Sequence, residues 1–167
     1  MRERRMTICL NSAAKICLGV LFLILGGLIY LLFRSKTLYI YIWSESLGFA
    51  DLIDSLRLFV HDWIVPDFII FSLPDGLYCA AYLLIIEAIW HEEKGWIKNL
   101  TLSVVPLVTI SSEILQFFGI VRGTFDIIDL LCYMVPFLAY TMILFTNNYK
   151  YNFLKTKLWK SIFIQFW

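Results

Sequence analysis

Apolar residues run in four long blocks along the chain, at about 14–33, 70–90, 100–119 and 127–146. Each block is near the ~20 residues that an α-helix needs to cross ~30 Å of hydrocarbon. None shows the alternation of an outer-membrane barrel strand. The pattern predicts an all-α integral membrane protein: a four-helix transmembrane bundle forming a single membrane domain over 1–167. Residues 34–67 form a long connection between the first two blocks. Within it, "GFADLIDSLRLFVHDW" sets Leu52, Leu56, Phe59 and Trp63 at helical spacing, with Asp51, Asp54 and Ser55 largely elsewhere. That stretch predicts a short amphipathic helix on the outer interface. Tyr39, Tyr41, Trp43 and Trp63 belong there at headgroup depth, and His61 and Asp62 are expected to be solvated. The tail 161–167 is too short to span and is expected on the inner surface.

Composition agrees with this pattern. The chain is 60% hydrophobic and 17% aromatic, with mean hydropathy +0.78, whereas a soluble domain is near half apolar. A net charge of +1 gives no global field to attract nucleic acid, so no such partner is expected. The first block is longer than a signal-peptide core and ends in Arg34 and Lys36 without a small-residue cleavage site, so it is expected to stay as a helix. The four cysteines, Cys9, Cys17, Cys79 and Cys132, are scattered without a C-x-x-C spacing and read as small apolar residues. No phosphate-loop, nucleophile-elbow or metalloprotease motif occurs, and no metal or cofactor is expected.

The basic residues set the orientation. Arg2, Arg4, Arg5, Lys15, Lys94, Lys98, Lys150, Lys155, Lys157 and Lys160 fall on one side, against Arg34, Lys36, Arg57 and Arg122 on the other. The positive-inside rule then puts both termini in the cytoplasm. The pair Arg34 and Lys36 at the outer end of the first helix runs against the trend. The acceptor-like Asn99-Leu100-Thr101 falls on the cytoplasmic side.

The stretch "SSEILQFFGIVRGTFDIID", residues 111–129, sets Glu113, Gln116, Arg122, Asp126 and Asp129 between apolar runs. Thr109, Ser112, Glu113 and Gln116 form one stripe on the outer half of the third helix. Asp126, Asp129 and Tyr133 share a face of the fourth, and Ser72, Asp75, Cys79 and Tyr82 a face of the second. An unpaired charge in a span costs ~2.5–3.5 kcal/mol on insertion scales. The economical arrangement turns the three stripes together around a pocket open to the exterior. Arg122 is the expected counter-charge, its guanidinium forked across a carboxylate. The candidate binding residues are therefore Glu113, Gln116, Arg122, Asp126, Asp129 and Asp75, with no catalytic residue assigned. Plainer roles stand beside these. Asp75, after Pro74, suits a helix N-terminus. Asp126 suits the start of the fourth helix, with Thr124 as its N-cap and Gly123 in the turn. Glu113 and Gln116 suit glue between helices. Glu87, near the inner end of the second helix, is expected to reach Lys94 or water.

The run Glu113-x-x-Gln116, then Arg122-Gly123-Thr124-Phe125-Asp126-x-x-Asp129, resembles the VanZ-like family of small bacterial membrane proteins. "LPDGLYCAAY", carrying Asp75, looks like that family's upstream block, and the resemblance covers about 70–140. The chain is a divergent relative by this likeness. The family's Gly-Arg is inverted to Arg122-Gly123, Gly76 and Cys79 stand near its Lys and His, and Tyr133 and Pro136 replace its Asn and Gly. The resemblance implies a multi-pass protein of the bacterial plasma membrane, and it does not carry over the founding member's teicoplanin resistance. The expected role is binding of a polar envelope ligand or membrane lipid headgroup. The alternatives are a carboxylate-dependent enzyme acting on a cell-wall lipid intermediate, proton-linked transport as a homo-oligomer, and a purely structural subunit.

Overall fold

The computed structural model describes the backbone of residues 2–93 and 95–143 and the side chains of residues 12–93 and 95–143. Lys94, the basic residues Lys150, Lys155, Lys157 and Lys160, and the tail 161–167 lie outside the described residues, as do the side chains of Arg2, Arg4, Arg5 and Cys9. The described residues are all-helical, without a strand. The elements are α1 (Arg2–Phe33), α2 (Tyr39–Ser46), α3 (Ala50–Val60), α4 (Asp67–Phe71), α5 (Leu73–Ile89) and α6 (Trp96–Phe117). A seventh, α7, is described over Ile127–Ile143.

Two stretches, Ser12–Phe33 and Trp96–Phe117, are long and apolar enough to cross a membrane. The boundaries of the other expected spans shift for local reasons. The block 70–90 is not one helix: α4 ends at Phe71, and α5 restarts at Leu73 with Pro74 in its first turn. Pro74 has no N–H to give to the Ile70 carbonyl, and its ring crowds that turn, so the helical ladder is interrupted at Ser72. At 17 residues, α5 is ~25 Å long, the short end of the spanning range. Helix α6 starts four residues before the expected 100 and stops at Phe117, because Gly119 takes φ +68. Gly119 N–H bonds the Gln116 carbonyl at 2.9 Å and Ile120 N–H that of Leu115 at 2.9 Å, which closes the helix end.

Helices α1, α5, α6 and α7 pack side by side. At one end Lys15 of α1 meets Glu87 of α5, and at the other Tyr30 meets Asp75, so α1 and α5 are antiparallel. Tyr82 and Glu87 of α5 reach Thr101 and Lys98, so α6 turns back on α5. Helix α7 runs parallel to α5: Cys79 Sγ lies 3.8 Å from the Tyr133 carbonyl, and Tyr140 reaches Glu87. Cys79, Leu83 and Leu102 form the buried centre, with Tyr82, Ile86, Tyr133, Phe137 and Tyr140 around it. A Cβ on Gly76 would stand 3.0 Å from the Cys132 carbonyl oxygen and 3.1 Å from its Cβ, so glycine sets the α5–α7 approach.

The connection 34–67 holds two helices where the sequence foretold one. Helix α3 matches the expected amphipathic element: Leu52, Leu56 and Phe59 face outward, as does Trp63 beyond its end, while Ile53 and Val60 are buried. Tyr41 departs from the expected aromatic belt. It is buried, and its hydroxyl donates to Asp54 at 2.9 Å. Lys36 donates to the other Asp54 oxygen at 2.7 Å. Arg57 fastens α3 to α1, its Nε 2.6 Å from the Leu31 carbonyl and its Nη2 2.5 Å from that of Arg34. His61 and Asp62 are exposed, as expected.

Two expectations follow. Gly76→Ala must push on main-chain atoms and overpack the α5–α7 seam, a class of change costing ~1–3 kcal/mol. Gly27→Ala, whose added Cβ meets nothing nearer than 3.9 Å, gains helix propensity instead. Thermal unfolding in detergent should therefore fall for the first variant and hold or rise for the second. The Lys36–Asp54 contact adds a pH dependence. The Lys36 hydrogen bond holds the Asp54 carboxyl below its usual range, and the same bond raises Lys36. The depressed acid contributes stability above its unfolded value of ~3.9, lost as pH falls through the folded value. The raised base contributes below ~10.4, lost as pH rises through its own folded value. Protection factors of the Ala50–Val60 amides, taken against the intrinsic exchange rate at each pH, should thus be high at neutral pH and fall below about pH 4. Lys36→Met should shrink that acid-side step, leaving the part that the Tyr41 hydrogen bond supplies.

Candidate functional site

The acids of the expected site collect at one end of the four long helices. Asp75, in the first turn of α5, is half-buried, and its Oδ1 accepts the Tyr30 hydroxyl at 2.8 Å. Arg34 donates to that same hydroxyl at 3.2 Å, and its guanidinium lies 4.7 Å from the Tyr30 ring centroid and 4.9 Å from that of Phe71. The acid is thus held through a tyrosine by an arginine clamped between two rings. Glu113 projects from α6 and is 7% exposed, the most buried of the four carboxylates. Asp75, Asp126 and Asp129 all lie within electrostatic range of it, and the backbone N–H of Asp126 lies against its carboxyl. Tyr133 of α7 sits among Asp75, Glu113 and Asp129.

The six expected site residues divide into three groups. Glu113, Asp129 and Asp75 come together. Asp126 joins them but is already employed: its Oδ1 accepts the Ile128 N–H at 2.8 Å, and its carbonyl accepts the Leu130 N–H at 3.1 Å. It is the N-cap of α7, the position offered to Thr124 on sequence. Gln116 lies across the α6–α7 turn, where a Cβ on Gly123 would fall 2.7 Å from its Cδ. Arg122 is exposed and has neither an ion pair nor a hydrogen bond among the described residues. The expected counter-charge is therefore misplaced: Arg34 supplies the nearby positive charge. The reason lies in the loop, where Gly119 and Gly123 turn the chain so that residue 122 points out of the bundle.

What remains unsatisfied defines the chemistry. Glu113 Oε2 and Asp129 Oδ1 are buried without a hydrogen-bond partner. An acceptor removed from water and left unpaired costs ~1–3 kcal/mol, more when charged. Such oxygens can take donors from a ligand or share a proton. No group of three or more His, Cys, Asp or Glu side chains suited to a metal ion occurs among the described residues.

A second polar centre lies at the opposite end, where the sequence placed nothing functional. Lys94, the expected partner, lies outside the described residues, and Glu87 meets two other lysines and a tyrosine. Its Oε1 lies 3.1 Å from Lys98 Nζ and 3.7 Å from Lys15 Nζ, and its Oε2 accepts the Tyr140 hydroxyl at 2.5 Å. The 15 residues from Lys98 to Glu113 span ~22 Å of helix, so the two centres stand well apart along the helices. A signal for Tyr30 and Arg34 existed: Arg34 broke the charge rule, and a cation on the costly side needs a local partner. Lys98 and Tyr140 carried no such mark.

The described fold defines an all-helical protein, with two helices of membrane-spanning length and apolarity. No protein-family model matches the chain, and no curated protein or solved structure is detectably similar to it.

The cap and the cluster make different demands on Asp126. Asp126→Ala should lower unfolding stability in detergent by ~1 kcal/mol, and Asp126→Asn, which keeps a capping oxygen, by a few tenths at most. Equal losses in thermal melts would assign the residue's weight to its charge.

Proposed function

We propose that the chain is a four-span protein of the bacterial plasma membrane with both termini in the cytoplasm. Its Asp75 end then faces outward and its Glu87 end inward. The outer surface of the helices supports this reading. Leu21, Ile24, Val108, Val135 and Met142 are all exposed, and only 11% of the first spanning window and 17% of the second are buried. A core helix of a water-soluble protein would hide such residues, since contiguous apolar surface in water drives association. Carboxylates and lysines gather inside instead, the arrangement a lipid solvent imposes.

The outer cluster of Glu113 and Asp129, with Asp75, Gln116 and Asp126 beside it, binds a polar, donor-bearing ligand or lipid headgroup. The observation that carries this is the pair of buried acceptors without partners, Glu113 Oε2 and Asp129 Oδ1, on neighbouring helices. Glue between helices would consume its own acceptors, as Tyr30 consumes that of Asp75. The spacing from Glu113 to Asp129 supports a VanZ-like reading, with Arg34 in place of the motif arginine at the acids.

Expression in a bacterial strain lacking the protein gives the test. Wild type should restore its response to a panel of wall-directed antibiotics and detergents. Glu113→Gln and Asp129→Asn should fail to restore it while accumulating in the membrane at wild-type abundance. Variants that lose abundance in step with the response would make the cluster structural glue. Variants that restore the response in full would remove it from function altogether.

A further inference from the structure

A groove of about 360 Å³ opens between α1, α5 and α7 at the Glu87 end. Its walls are hydrocarbon: Leu18 and Phe22 from α1, Ala80 and Leu84 from α5, Pro136 and Ala139 from α7. Lys15, Leu18 and Phe22 fall on one face of α1, about 10 Å from first to last, and Ala80, Leu84 and Glu87 share a face of α5 in the same way. The charged lining residues, Lys15 and Glu87, therefore stand together at one end of the groove, and its apolar length runs toward the middle of the bundle. The alanines and the proline leave the width that larger side chains would fill.

The polar end carries a cation that is only loosely paired. Lys98 is 8% exposed and lies 3.1 and 3.0 Å from the two Glu87 oxygens. Tyr140 spends its hydroxyl proton on Glu87 Oε2. Lys15 is 3.7 Å from Glu87 Oε1, beyond hydrogen-bond length, and its side chain is 31% exposed. Two ammonium groups thus answer one carboxylate, and the ammonium with donors to spare is the one at the groove mouth. The acidic Glu93 lines the other cavity at this end, across Glu87.

We propose that this groove holds one anionic glycerophospholipid, an acyl chain along the apolar walls and the headgroup phosphate on Lys15. A basic residue between helices at the cytoplasmic headgroup level is the arrangement that retains anionic lipids. A free anion would leave the hydrocarbon walls uncovered, and a zwitterionic lipid brings its own ammonium up to Lys15. The groove and its charge are features of the fold, and the inner leaflet rests on the orientation proposed above. The outer carboxylate cluster plays no part.

Native mass spectrometry of the full chain, released from nanodiscs containing equal phosphatidylglycerol and phosphatidylcholine of matched chains, reads this directly. One phosphatidylglycerol should be retained about fivefold over phosphatidylcholine, the worth of one lysine near the membrane surface. Lys15→Gln should abolish the preference, and Lys15→Arg should keep it. Ala139→Phe, which fills the groove, should lose retention of both lipids. Equal retention of the two lipids by wild type, or an unchanged preference in Lys15→Gln, would overturn the proposal. Displacement of phosphatidylglycerol by millimolar glycerol phosphate would overturn the role of the groove and leave a bare anion site.

Discussion

One carboxylate on α5 touches each of the other three long helices. Glu87 meets Lys15 of α1, Lys98 of α6 and Tyr140 of α7. In hydrocarbon an isolated carboxylate or ammonium is costly, and hydrophobic attraction between helices is weak because lipid tails are as apolar as leucine. A single acid that satisfies a lysine on either side and a tyrosine fixes rotation and depth for four helices at once. The packed centre of Cys79, Leu83 and Leu102 lies between this anchor and the acids at the far end.

The two ends obey the same electrostatic rule and come to opposite results. At the Glu87 end, two lysines and a tyrosine meet one carboxylate, and both of its oxygens have donors. At the Asp75 end, acids outnumber the nearby cation, and that cation acts through a tyrosine hydroxyl. A fully paired centre is good for holding helices and poor for receiving a ligand. A centre with acceptors left over is the reverse.

Much of this was legible in the residues, and the gaps have causes. Four apolar runs, the interfacial stretch around Leu52 and Phe59, and the common depth of Asp75, Glu113 and Asp129 all follow from hydropathy and helical spacing. Boundaries failed where backbone conformation ruled: the break before Pro74 and the stop at Gly119 are φ/ψ events that hydropathy does not register. Arg122 failed because nearness in sequence says little about where a side chain points after a tight turn. Its role fell to Arg34, about 90 positions away and brought close only by antiparallel packing of α1 on α5. Glu87 reads from the sequence as reaching Lys94 or water, since Lys98 carries only an orientation signal there and nothing marks Tyr140.

The hold of Arg57 on α1 carries a mechanical consequence. Its two short bonds end on main-chain oxygens at the close of that helix, where the last carbonyls have no amide of their own. Peeling α3 away would strip donors from both oxygens. The covering helix is thus clasped to the backbone rather than merely laid on grease, and it would travel with the tip of α1 as one rigid flap.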